Sequence, residues 1–241
     1  MLLSLIEVRG QIDALAAAAA HFRQADCALM PTITAPGTAW RLMVRLPVPP
    51  PELSEAAGRV LHSLRSALDD LVSCLTEPCR PAAFPICSDP RAFVEAINAH
   101  RLAGVPLAAQ VVLAALQPYP GRNQGLALLQ ELHDRSQERA LELSLVVAGD
   151  VRLQWKRAGI LIYESLLPEC EAQNERLLGE EASRGLALPT DLDVRGTAVT
   201  YLTFTSDLVP PSPQPLTVVN TLNQLTDYVS GTVVPALEQF L

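Results

Sequence analysis

Apolar positions recur with helical spacing at the start of the chain. Leu5, Val8, Ile12, Leu15 and Phe22 share one face, which predicts a helix over residues 3–23. The period then shortens to two. Residues 27–35 and 39–46 read as strands around the turn signal Pro36-Gly37-Thr38, and Trp40, Leu42, Val44 and Leu46 alternate with Arg41, Met43 and Arg45. The prolines within 47–51 end the second strand, because proline cannot donate to a ladder. A long amphipathic helix is expected over 53–75, stopped by Pro78 and Pro81. Ser88-Asp89-Pro90 is a helix start signal for a segment reaching His100, and two more helices are expected over 106–116 and 123–143.

Beyond that point strands are expected over 145–163, with a hairpin turn at Ala148-Gly149-Asp150. The stretch 168–193 is acidic and irregular, with at most a short helix near 172–180, and 199–205 reads as a further strand. A proline-rich connector, 209–215, leads to a final amphipathic helix carrying Val218, Leu222, Leu225, Val229, Val233 and Leu237, which Gly231 and Pro235 should kink or split. The pattern as a whole predicts an α+β fold, mainly a bundle of about five to six helices packed with an antiparallel β-sheet. It is expected as one domain, 1–241, with a helical core over about 1–145 plus 216–241 and a strand-rich insertion at about 145–208.

Composition narrows the function classes. With 49% hydrophobic residues in 241, the chain can bury a substantial core. A net charge of −8 argues against a protein that works by neutralising phosphates non-specifically. Seventeen arginines against one lysine, Lys156, with heavy use of Ala, Leu and Pro, point to a GC-rich bacterial source. The five cysteines are an odd and sparse set, read as reduced thiols rather than a disulfide framework. No basic region precedes the apolar start, and the alanine run 16–20 is far shorter than the roughly twenty residues a membrane span needs. A cytoplasmic protein with no membrane role is expected.

Candidate chemistry concentrates on the long helix over 53–75. Leu61, Leu64, Leu68, Leu71, Val72 and Leu75 cover one face, and His62, Arg65 and Asp69 form a narrow stripe at its edge, within roughly 60° of one another. Arg139 falls on the apolar side of the helix expected over 123–143, where a guanidinium needs a carboxylate. A network joining His62, Arg65, Asp69 and Arg139 is therefore expected between the two helices. Such a network can fix register without doing chemistry, or it can be a site. Cys74, Cys79 and Cys87, with His62 or His100, miss the paired spacing of structural zinc, so no metal is expected. His133 and His21 read as satisfied boundary or surface groups. Ser66 lacks a nucleophile motif, and no phosphate loop or dinucleotide fingerprint occurs, so no cofactor is expected.

The segment His62-Ser63-Leu64-Arg65-Ser66-Ala67-Leu68-Asp69-Asp70-Leu71 resembles His-Asn-Leu-Arg-Ser-Ala-Leu-Asp-His-Leu of a family of uncharacterised bacterial and phage proteins. Phe84-Pro85-Ile86 and Leu116-Gln117-Pro118-Tyr119 match that family's Phe-Pro-Ile and Leu-Gln-Pro-Tyr, and Ser136-Gln137-Glu138-Arg139 stands where it has Asp-Lys-His-Arg. Order and spacing agree over roughly 53–141. The chain departs at Asp70 and Glu138, where the family has histidines, and at Ser136, where it has an aspartate. A weaker resemblance is to HEPN helical-bundle proteins, among them ribonuclease toxins. Their arginine-to-histidine pair would end at Asp70 here, and a five-residue offset separates side chains by roughly 140° on a regular helix. The first resemblance carries no activity with it, and the leading expectation is a non-catalytic protein working through protein contacts or self-association. The second resemblance implies an RNA-directed HEPN-like alternative, and a third reading is a small-ligand or metal protein centred on His62, Asp69 and Arg139.

Overall fold

The computed structural model describes residues 2–23, 28–35, 39–45, 48–76, 82–119, 123–157, 160–173, 177–182, 192–196, 199–204 and 217–241. Cys27, Cys79, the turn at 36–38 and the connector 209–215 lie outside them. The fold is α+β with helices predominating, and the chain divides into two compact units, one formed by 1–18, 51–141 and 218–241, the other by 19–50 and 142–217.

The first unit is helical. Helix α1 (Leu2–Arg23) buries Leu5, Val8, Ile12 and Leu15, the face its spacing predicts. Helix α2 (Pro51–Cys74) starts on a proline, whose missing N–H costs nothing in a first turn, and buries Leu61, Leu64, Leu68, Leu71 and Val72 completely. Helix α3 (Pro90–Asn98) is capped by Asp89, which accepts from Arg91 N at 2.8 Å and Ala92 N at 3.0 Å. It ends with His100 at φ 58°, the left-handed position more often filled by glycine.

Helix α4 (Leu107–Ala115) ends at Leu116, and Asn123, at the start of the next helix, donates to the carbonyls of Ala115 and Gln117. Helix α5 (Gln124–Glu138) buries Leu126, Leu129 and Leu132 against α2 and the final rod. That rod is α6 (Val218–Tyr228), one π turn (Val229–Val233) and α7 (Val234–Glu238). Pro235 cannot donate to the carbonyl of Gly231, and the wider turn ahead of it absorbs that loss. Counting this rod once, the described residues hold six helices.

The second unit is antiparallel. Strands β1 (Ala28–Ala35) and β2 (Ala39–Arg45) pair antiparallel, and β2 also pairs with β5 (Leu177–Ala182). Strand β3 (Leu143–Arg157) organises the second sheet. It carries β4 (Ile160–Gln173) along one edge, with β6 (Leu192–Gly196) and β7 (Val199–Phe204) in succession along the other.

Three expectations are corrected. Ala148-Gly149-Asp150 is no hairpin turn: β3 runs through it with a bulge between Gly149 and Val151, the place where pairing passes from β7 to β6. Glycine in a strand marks a bulge as readily as a turn. The short helix near 172–180 is replaced by the end of β4 and the start of β5, because ladder partners outweigh local propensity. Helix α5 stops at Glu138 rather than 143: Arg139 is extended at φ −158° and ψ 162°. Leu141, Leu143 and Leu145 alternate by two, so the strand period begins inside what reads as helical spacing.

Gly10 sits in the interior of α1, exposed, and a Cβ there would meet nothing within 4 Å. Gly10→Ala is expected to stabilise the protein by about 0.5–1 kcal/mol, read from urea unfolding midpoints, since alanine loses less backbone entropy on entering the helix.

Candidate functional site

The polar stripe of α2 faces a returning stretch of chain. After the helix ends, residues 82–87 run back along it without helix or ladder partners of their own. Phe84 is fully buried, so its peptide groups must be satisfied from nearby. Three residues spaced four apart on α2 do this. Ser73 Oγ donates to the Ala82 carbonyl at 3.1 Å. Asp69 Oδ1 accepts from Phe84 N at 2.8 Å, and Arg65 Nη2 donates to Phe84 O at 2.6 Å. From Ser73 to Asp69 the helix rises about 6 Å, close to the roughly 6.7 Å from Ala82 to Phe84, and Arg65 reaches back one turn to share the Phe84 peptide with Asp69.

The clamp is braced internally and from a second helix. Arg65 Nη2 lies 3.3 Å from Asp69 Oδ1, with side-chain exposures of 16% and 37%. Burial lowers the Arg65 pKa from its ordinary value, opposed by the negative charges of Asp69 and then Asp134. At the far end of the segment Gln117 is fully buried. Its Oε1 accepts from Cys87 N at 2.8 Å while its Nε2 donates to Leu113 O at 2.9 Å.

Next to the clamp α2 and α5 approach closely and antiparallel. Ser54 Oγ donates to the Leu141 carbonyl, and a Cβ on Gly58 would stand 3.7 Å from that of Ser136. One turn further, His62 and His133 stack, ring centroids 6.0 Å apart and planes 17° from parallel. The His62 ring is exposed, whereas the His133 side chain is only 15% exposed. His133 Nδ1 is buried without a hydrogen bond; Asp134 Oδ1, at 3.7 Å, is beyond reach of one. Burial first, then the Arg65 charge, lowers the His133 pKa; Asp134 opposes the shift and His62 adds to it. Beside the stack a groove of about 670 Å³ opens, walled by α1 (Gln11), α2 (Glu55, Arg59, His62) and the end of α5 (Ser136, Gln137).

Of the four residues expected to form one network, Arg65 and Asp69 meet directly, and His62 lies one turn along the same stripe. Arg139 is the exposed C-cap of α5, in extended backbone, because that helix ends before it. The groove includes His62 but neither Asp69 nor Arg139. Asp70 is exposed. His133, read from sequence as a bland boundary group, is the residue that joins α5 to the stripe. Its spacing three before Ser136, opposite Gly58, is the signal that could have found it. Cys74 is exposed and Cys87 half-buried, and His100 serves as the turn residue after α3. Among the described residues no three His, Cys, Asp or Glu side chains converge as metal ligands, and no helix is long and apolar enough to cross a membrane.

No family model, curated protein or solved structure matches the chain, so the residues themselves carry the functional argument.

Asp69→Ala would leave Phe84 N–H unpartnered and Arg65 without its neighbouring carboxylate. It is expected to cost about 2–4 kcal/mol in chemical denaturation. Asp69→Asn retains an acceptor and should cost clearly less. Gln117→Ala is expected to cost about 1–3 kcal/mol by the same measurement, through the orphaned Cys87 N–H.

Proposed function

We propose that this is a non-catalytic bacterial cytoplasmic protein that acts through protein contacts, in the first place with a second copy of itself. The observation that carries this reading is the outer face of α4. Leu107 is 76% exposed and Val111 64%, one turn apart, with Ala108 and Ala115 exposed beside them and no charged residue anywhere in the helix. A solvated helix face normally carries charge, and an apolar one held in water marks an interaction surface. The engagement of Arg65 and Asp69 supports the same reading from another side. Arg65 Nη2 and Asp69 Oδ1 are both engaged with the Phe84 peptide, a structural use of the pair. The groove beside His62 has one acidic and one basic wall residue, Glu55 and Arg59, rather than the basic lining that a phosphate backbone would favour. The segments that resemble the uncharacterised bacterial and phage family fall at the clamp, where Arg65 and Asp69 meet the Phe84 peptide and Gln117 meets Cys87 N.

Sedimentation velocity over a concentration series tests this. The wild type should associate reversibly in the micromolar range, and Leu107→Glu with Val111→Glu should remain monomeric with unchanged helicity. A wild type that stays monomeric throughout, or a double variant that associates equally well, overturns the self-association reading. RNA cleavage by the wild type that disappears in a folded His62→Ala variant would replace it with the ribonuclease reading.

A further inference from the structure

We propose that the His62–His133 stack is a proton-operated latch between α2 and α5, so that adding a proton there loosens the two helices along the groove that His62 walls. The geometry gives this rung its leverage. On one side of it the helices are tied by the Ser54–Leu141 hydrogen bond and the Gly58–Ser136 approach. On the other side lies the clamp, whose Arg65 charge is largely buried. Between them sit two near-parallel imidazoles in an offset stack, one exposed and one nearly covered. A neutral pair stacks there as an apolar rung. A protonated His133 would place a second cation beside Arg65 in a poorly solvated position, offset only in part by Asp134, whose Oδ1 lies 3.7 Å from Nδ1.

The charged and titratable groups acting on His133 are Arg65 and His62 from α2 and Asp134 beside it on α5. Glu55 and Arg59 of α2 line the same groove and face each other at 4.0 Å, and α1 meets it with the neutral Gln11, whose Oε1 is buried without a partner. Among the described residues Asp134 is the carboxylate that acts on His133, and its Oδ1 also accepts from Gln130 Nε2 at 2.7 Å. The sign follows from the lowered His133 pKa: the unfolded chain takes up the proton more readily than the folded one. The latch is therefore closed above the ordinary imidazole range and weakens as pH falls through it.

The test is a pH series between about pH 8 and pH 5 on the full chain. It combines thermal unfolding, imidazole NMR titration and amide hydrogen exchange. Toward acid, the wild-type midpoint should fall by at least about 2 °C more than that of His133→Phe, which keeps a stacking ring but cannot charge. His133 should titrate below the ordinary imidazole range, and Asp134→Asn should push it lower still. Exchange in 54–63 and 133–141 should accelerate in the wild type at acid pH and not in His133→Phe. Equal acid sensitivity of the two proteins overturns the proposal, and so does a His133 that titrates at or above the usual range. Should His133→Phe fail to fold, the titration and exchange of the wild type decide alone. Neither readout depends on self-association through α4.

Discussion

A buried peptide group with no secondary-structure partner must find one elsewhere, and in this protein the Phe84 peptide finds it on α2. The chain leaves that helix, turns, and lays residues 82–87 back along it, with Phe84 in the core. An apolar helix face would strand the carbonyl and the N–H of this segment, at a cost of a few kcal/mol. Arg65 and Asp69 act together as a substitute ladder, one donating and one accepting, while Ser73 and Gln117 hold the two ends. With this segment seated, α3 and α4 can follow in the chain, and Gln117, just past the end of α4, is buried against Cys87 N.

The same stripe divides its duties along its length. Its lower part, Arg65 to Ser73, is committed to backbone hydrogen bonds. Its upper end, His62, instead meets another side chain across the narrow α2–α5 contact that Gly58 permits. A charge held near a hidden imidazole is the price of that layout: the guanidinium that satisfies Phe84 also disfavours a proton on His133. Structural and titratable roles are thus coupled through Arg65, without any reacting group being required.

The second unit follows a different rule. A single long strand, β3, serves as the common partner of β4, β6 and β7, and its bulge at Gly149 lies where one edge partner gives way to the next. The bulge lets a strand of this length twist without losing its neighbours. In the described part, the buried Ser144 and Thr203 hydroxyls, 3.3 Å apart, link β3 to β7 beyond the backbone ladder.

Read alone, the sequence determined whatever depends on near neighbours. Hydrophobic period placed all six helices and the first hairpin, Asp89-Pro90 marked the start of α3, and the wheel put His62, Arg65 and Asp69 together at the rim of the α2 core. Tertiary structure decided what depends on distant partners. Gly149 is a bulge rather than a turn because β3 has strands to pair on both sides of it. Residues 177–182 form a strand because β2 is there to receive them. Helix α5 stops at Glu138, since leucines spaced by two and by three or four overlap at its end, and this leaves Arg139 in extended backbone rather than on the helix face. Besides Asp69, Arg65 has a partner that the pattern does not name, a backbone carbonyl nineteen residues on. Every residue supplies such a carbonyl, so no side-chain pattern can announce which one a guanidinium will find.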